Sequence, residues 1–165
     1  MTTFGKLAAT GAALALAAGG IAVPAMAQYR QPISNNMAKC NSGNGPAVKV
    51  TVAGIKSSAG KIRVQSYRAT SADWLQSGKW INRIEAPAKA GTMTFCMPFP
   101  AAGSYAIAVR HDVNGNGKTD ISTDGGAMSN NPSINIFNLG KPSYKKTAFS
   151  VDGGVGSITV NMRYM

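Results

Sequence analysis

Between His111 and Asp120 the sequence reads His-Asp-Val-Asn-Gly-Asn-Gly-Lys-Thr-Asp, and here the chain concentrates groups able to do chemistry. The stretch holds the only histidine and two of the six acidic residues. Counted from Asp112 as position one, Asn114 and Asn116 fall at three and five, Gly117 at six, and Asp120 at nine. A backbone carbonyl at Thr119 falls near position seven, and Asp124 lies just past twelve. Hard oxygen donors at that spacing, with a glycine to turn the backbone, suit calcium. Thr123 stands where an EF-hand carries a bidentate glutamate, and no helix pattern flanks the loop. An EF-hand is therefore excluded, and any calcium affinity is expected to be weak, on the order of 10⁻⁴ to 10⁻³ M. The same residues are also turn formers. Asn-Gly occurs twice, both residue types tolerate positive φ, and Asp112 and Asp120 can cap backbone donors.

Other chemistry is thinner. A hydrolase reading pairs His111 with Asp112 or Asp124 and a serine such as Ser129. There is no nucleophile elbow and no HExxH, and a two-carboxylate glycosidase would rest on very few acids. No enzymatic activity is expected. Tyr67, Trp74 and Trp80 lie close enough to form an aromatic platform for a sugar ring, or to plug the end of a core.

The elements that must position these groups are short strands. Val48, Val50 and Val52 alternate with Lys49 and Thr51, and Ile62 and Val64 alternate with Lys61, Arg63 and Gln65. Thr92 to Met97 continues the style, Tyr105 to Val109 is a more fully buried run, and 148–151 and 158–164 alternate again. This predicts an all-β, antiparallel sandwich of about seven strands with one long loop, Ile121 to Tyr144. A loop that long is functional or carries hidden structure. Ser71 to Gln76 reads as one helical turn capped by Ser71. On the wet faces, Lys49, Lys61, Arg63 and Arg163 are expected to share a basic, anion-docking surface, although exposed lysine also serves to block strand edges.

The start of the chain reads as an export signal over residues 1–27. Lys6 is the positive charge, an Ala/Leu/Gly-rich stretch follows, and Ala25-Met26-Ala27 sets cleavage between Ala27 and Gln28. Gly19-Gly20 and Pro24 make the stretch a poor membrane span, no cysteine follows to accept lipid, and no span remains after signal removal. An irregular segment, 28–46, precedes the sandwich domain, 47–165. Cys40 and Cys96 are the only cysteines, and in an oxidising compartment they are expected to pair. Without Lys6 the chain carries sixteen basic residues against six acids. That balance invites an anionic envelope polymer or lipopolysaccharide. The basic residues are scattered rather than blocked, so no specific nucleic-acid partner is expected.

The residues from Gly103 onward resemble a known family. Gly103-x-Tyr105-Ala106 runs into His111-Asp112-x-Asn114-x-Asn116-Gly117-Lys118-x-Asp120 and then Ser129-Asn130-Asn131. This pattern is similar to that of domain of unknown function family 2141, a group of bacterial secreted proteins. Gly54-Ile55, Gly60 to Val64, Pro142-Ser143-Tyr144 and Ala148-Phe149 extend the likeness over roughly residues 47 to 164. The Gly-x-Tyr approach also looks like prealbumin-like and carboxypeptidase-regulatory-like sandwiches, which implies an immunoglobulin-like fold. The family implies no activity. Its members carry a glutamate before Ser-Asn-Asn where this chain has Asp124-Gly125-Gly126-Ala127-Met128, so one ligand of a full metal set is missing. The whole points to an exported envelope binding or structural module, found in the periplasm or secreted.

Overall fold

The computed structural model describes Met1, residues 29–134 and residues 140–164. Apart from Met1, the expected export signal and its Ala27–Gln28 junction lie outside the described residues, as do Ile136, Phe137 and Leu139. Among the described residues ten strands follow one another: β1 (Gln31–Pro32), β2 (Ala47–Ile55), β3 (Lys61–Arg68), β4 (Asn82–Pro87) and β5 (Gly91–Pro98). They continue with β6 (Gly103–Asp112), β7 (Gly125–Met128), β8 (Phe149–Val151), β9 (Val155–Asn161) and β10 (Arg163–Tyr164). A seven-stranded sheet has the order β1-β4-β3-β6-β7-β10, with β8 also on β6, and a three-stranded sheet has the order β5-β2-β9. Neither closes into a barrel.

Alternation places the core. On β2, Val48, Val50 and Val52 are buried while Lys49 is exposed, and on β3 Ile62 and Val64 are fully buried between half-buried Lys61, Arg63 and Gln65. These valines and isoleucines meet Ile84, Phe95, Met97, Ile107, Val109 and Val160, so one core is shared by both sheets. Each such side chain contributes roughly 1.5–3 kcal/mol by leaving water. A smaller cluster of Tyr67, Trp74, Trp80, Ala106 and Met128 lies apart from this core, built partly on β3 and β6.

The expected architecture is met in outline and differs in pairing. Two pairs are parallel, β2 with β9 and β1 with β4, so both sheets are mixed rather than antiparallel. The long segment after Ile121 does carry hidden structure, strand β7, which pairs with β6. Ser71 to Leu75 forms turns and not a helix. Trp74 N–H bonds the Thr70 carbonyl at 3.0 Å, Thr70 Oγ1 bonds Asp73 at 3.0 Å, and positive φ at Leu75 ends the run. The lead-in is not wholly irregular either, since it supplies β1 and a 3-10 turn at Met37–Cys40.

Both outer edges of the three-stranded sheet are capped by an asparagine. Asn35 donates to the Thr94 carbonyl and accepts from Cys96 N–H at 3.0 and 2.9 Å, on β5. Asn131 does the same to Thr159 and Asn161 on β9, at 2.9 and 2.7 Å. Each amide thus stands in for one peptide of a neighbouring strand, which blunts the edge. The Ser-Asn-Asn element therefore has a structural use. Ser129 accepts from Ile107 N–H, Asn130 donates to the Ala148 carbonyl, and Asn131 crosses to the other sheet.

Candidate functional site

β6 is the strand that positions the site. Its odd residues Tyr105, Ile107 and Val109 face the core, so Ala106, Ala108, Arg110 and Asp112 face outward. Register then aligns five residues across the outer face: Glu85 on β4, Arg63 on β3, Arg110 on β6, Gly126 on β7 and Arg163 on β10. Neighbours in such a row stand about 4.8 Å apart. Lys61 and Asp112 pair in the next row toward the loop, and Arg83, Gln65, Ala108 and Met128 form the row on the other side. Five cations thus stand against two carboxylates on this face.

Like charges directly across strands repel, and the protein places partial partners around them. Arg63 Nε contacts Glu85 at 2.6 Å and Lys61 contacts the same carboxylate at 3.4 Å. Burial works to raise the Glu85 carboxyl, but the Arg63 hydrogen bond and the charges of Arg63 and Lys61 outweigh it and hold the pKa below the usual range. Arg83 stacks on Trp80 with its guanidinium 4.1 Å from the ring centre. Burial, then the charge of Arg63, lowers its pKa, although a guanidinium remains charged. The Nε atoms of Arg83 and Arg110 are buried and have no hydrogen-bond partner among the described residues.

The loop from Asp112 to Asp124 closes on Arg110. The Arg110 guanidinium donates to Thr119 Oγ1 at 3.0 Å, to the Gly117 carbonyl at 2.9 Å and to Asp112 Oδ2 at 3.3 Å. Backbone donors take further oxygens: Gly117 N–H reaches Asp112 Oδ2, Asn116 N–H reaches Asn114 Oδ1, and Lys118 N–H reaches Asn116 Oδ1. Asn114 and Asn116 turn their amide nitrogens to Asp120 Oδ2, both at 2.7 Å, and these bonds hold the Asp120 carboxyl below its ordinary pKa. Asp124 ties the loop's two ends by accepting from Val113 and Asp120 N–H at 3.1 and 3.0 Å. Among the described residues no three carboxylate, imidazole or thiol groups gather where a metal could sit. One buried loop oxygen, Asp112 Oδ1, has no partner among the described residues.

His111 points the opposite way, into the interior. Its Nε2 lies 2.8 Å from the Ala59 carbonyl, which can only accept, so this nitrogen carries the proton. Nδ1 then accepts from the Tyr164 hydroxyl at 2.7 Å, and that hydroxyl accepts from Lys56 N–H at 3.0 Å. Burial raises the Tyr164 pKa, against the Lys56 hydrogen bond. Gly125 makes the arrangement possible, because any Cβ there would overlap the Tyr164 ring. The pair His111–Ser129 posited for hydrolysis is not assembled, since His111 joins β6 to Ala59 and β10 while Ser129 bonds Ile107 and Thr147.

Other sequence expectations fare unevenly. Lys49 does not join Lys61, Arg63 and Arg163, because β2 belongs to the other sheet and exposes Lys49 on the far side of the molecule. Arg110 and Arg83 take its place. Extending the Ala106, Ala108 alternation by one more step gives Arg110. The aromatic trio is no exposed platform: Tyr67, Trp74 and Trp80 are buried, with Tyr67 and Trp74 edge to face at 5.4 Å and Trp74 Nε1 bonded to the Pro142 carbonyl. Cys40 and Cys96 are joined in a disulfide. Among the described residues no helix is long and apolar enough to cross a membrane.

No curated protein and no solved structure matches the chain. A family model does match, over residues 50–159, two thirds of the sequence and the whole of the arginine row except Arg163. The chain therefore belongs to the family described as "uncharacterized protein conserved in bacteria", domain of unknown function 2141.

Proposed function

We propose that the protein is an exported envelope module that docks an acidic polysaccharide on the outer face of its seven-stranded sheet. The observation that carries this reading is the row Arg63–Arg110–Gly126–Arg163, flanked by Arg83 and Lys61. Guanidinium forks bind carboxylates with two parallel hydrogen bonds, which favours arginine at such a surface. A polymer with one carboxylate on each sugar also repeats at close to the strand spacing. Lipopolysaccharide, the other anion considered from sequence, would bring acyl chains. The exposed large hydrophobic side chains among the described residues are Met1, Met37 and Ile121, none of them on a strand of this face. Among the described residues, the strands of this face therefore offer acyl chains no exposed large apolar side chain. The disulfide and the export signal read from sequence support the periplasm or the exterior as the site of action. The two sheets around one core, left open at their edges, support an immunoglobulin-like or prealbumin-like sandwich.

Calorimetric titration with alginate oligomers tests the docking. Affinity is expected to fall at least tenfold between low and physiological salt, to fall several-fold in Arg163→Gln, and to stay unchanged in Lys49→Gln. Salt-independent binding, or equal binding to neutral dextran, contradicts it, and tighter binding to lipopolysaccharide vesicles would transfer the role to a lipid partner.

A second reading, calcium in the loop, rests on Asp112 Oδ1. A buried carboxylate oxygen with no donor is costly, and a cation would satisfy it. Arg110 holds the other oxygen of the same carboxylate at 3.3 Å, and its positive charge beside the site keeps the affinity weak. Millimolar calcium is expected to raise the unfolding midpoint of the wild type and not of Asp112→Asn; identical midpoints with calcium and with chelator remove the site.

A further inference from the structure

Two adjacent glycines on β7 differ in what requires them. Gly125 is forced by packing, since a Cβ would overlap the Tyr164 ring that reaches past it to His111. Gly126 is not forced by packing among the described residues. None of them lies within 4 Å of the position its Cβ would take, and its φ is not in the left-handed region. A strand glycine is less stable than alanine, because it loses more backbone freedom on folding. Such a glycine marks a bulge, a tight bend or a place where another molecule approaches the backbone, and the register of β7 with β6 and β10 runs unshifted through Gly126.

The position is informative. Gly126 pairs with Arg110 on one side and Arg163 on the other, so it forms a bare gap in the arginine row. Arg110 Nη2 donates to Asp112 and Gly117, while Nη1 donates to Thr119 and carries a second hydrogen able to reach a ligand. Arg163 is exposed, with no ion pair among the described residues. The loop therefore holds one guanidinium in place, and the second is free to close from the other side.

We infer that Gly126 is the floor of a subsite for one carboxylate of an acidic sugar, clasped between Arg110 and Arg163. The inference rests on the docking reading above and adds a defined seat to it. A carboxylate there lies flat against the strand, within reach of donors on both neighbouring strands. A side chain at residue 126 would lift it away. The loop's role follows: by fixing the Arg110 fork it orders one wall of the subsite before the ligand arrives, which lowers the entropy lost on binding.

The test is Gly126→Val, which fills the gap without touching charge. Its Cβ meets no described residue within 4 Å, and valine suits a strand, so the unfolding midpoint is expected to stay within a few degrees of wild type. Affinity for alginate oligomers is expected to drop at least tenfold, with Gly126→Ala intermediate. If Gly126→Val binds like wild type while Arg163→Gln is weakened, the docking face stands and the subsite is wrong. If both bind like wild type, the docking reading itself fails. Should the valine variant not fold, Gly126→Ala and Gly126→Ser decide: wild-type affinity in both overturns the subsite.

Discussion

Reduction of the Cys40–Cys96 bond is expected to lower the unfolding midpoint by about 10–15 °C. The bond closes a loop of 56 residues, and in the chain-entropy model a loop of that length restricts the unfolded chain by roughly 4 kcal/mol. For a domain of this size, 1 kcal/mol corresponds to a few degrees. Both sulfurs lie in a small buried cluster with Ala47, at the junction of the lead-in and β5. That location matters because Asn35, in the same lead-in, caps the β5 edge at Thr94 and Cys96. Breaking the bond frees the segment that covers this edge, so the reduced protein is also expected to aggregate sooner on heating. The double variant Cys40→Ser/Cys96→Ser, melted without reductant, separates the bond from the reagent. A midpoint within about two degrees of wild type would contradict the entropic account of this disulfide.

Gly60→Ala is expected to cost about 3–4 kcal/mol, among the larger effects of a single methyl group. Gly60 has φ +68° and sits in the turn between β2 and β3, against the end of β6. A Cβ there would overlap the Asp112 carbonyl oxygen and lie 2.6 Å from that of Val113. Both are backbone atoms and cannot swing aside. The turn would have to retreat, taking the Ala59 carbonyl from His111 Nε2 and loosening the Lys61–Asp112 pairing beside the arginine row. Gly115→Ala supplies the comparison. Its φ is +72° but no described residue lies within 4 Å of its Cβ position, so the left-handed backbone is what penalises alanine, by about 1 kcal/mol. Equal losses in the two variants, measured by urea unfolding, would show that the contact with β6 is not what matters.

The sequence made the strands legible because half-buried strands alternate, and Val48 to Val52 and Ile62 to Val64 alternate cleanly. Alternation states which face of its own sheet a residue occupies. It does not state which sheet. β2 and β3 are neighbours in sequence and look like a hairpin, yet β2 pairs with β5 and β9 while β3 pairs with β4 and β6. Alternation alone therefore sets Lys49 beside Lys61 and Arg63, and the parallel β2–β9 pairing, between residues 108 apart, leaves no local trace. Arg83 escaped because β4 is short and half-exposed, with buried Ile84 its one fully covered residue. The calcium-like spacing of the loop was visible, but the guanidinium inside it was not, since Arg110 precedes the motif and enters only through its side chain. His111 likewise gave no sign of its partners, which lie 52 and 53 residues away.

The most direct test of the docking face follows backbone amide shifts of isotope-labelled protein titrated with alginate oligomers. Shifts are expected on β3, β4, β6, β7 and β10, centred on Arg63, Arg110, Gly126 and Arg163, and are expected to fade as salt is added. Shifts centred on Lys49 and the three-stranded sheet, or none at millimolar oligomer, would contradict a docking face on the seven-stranded sheet.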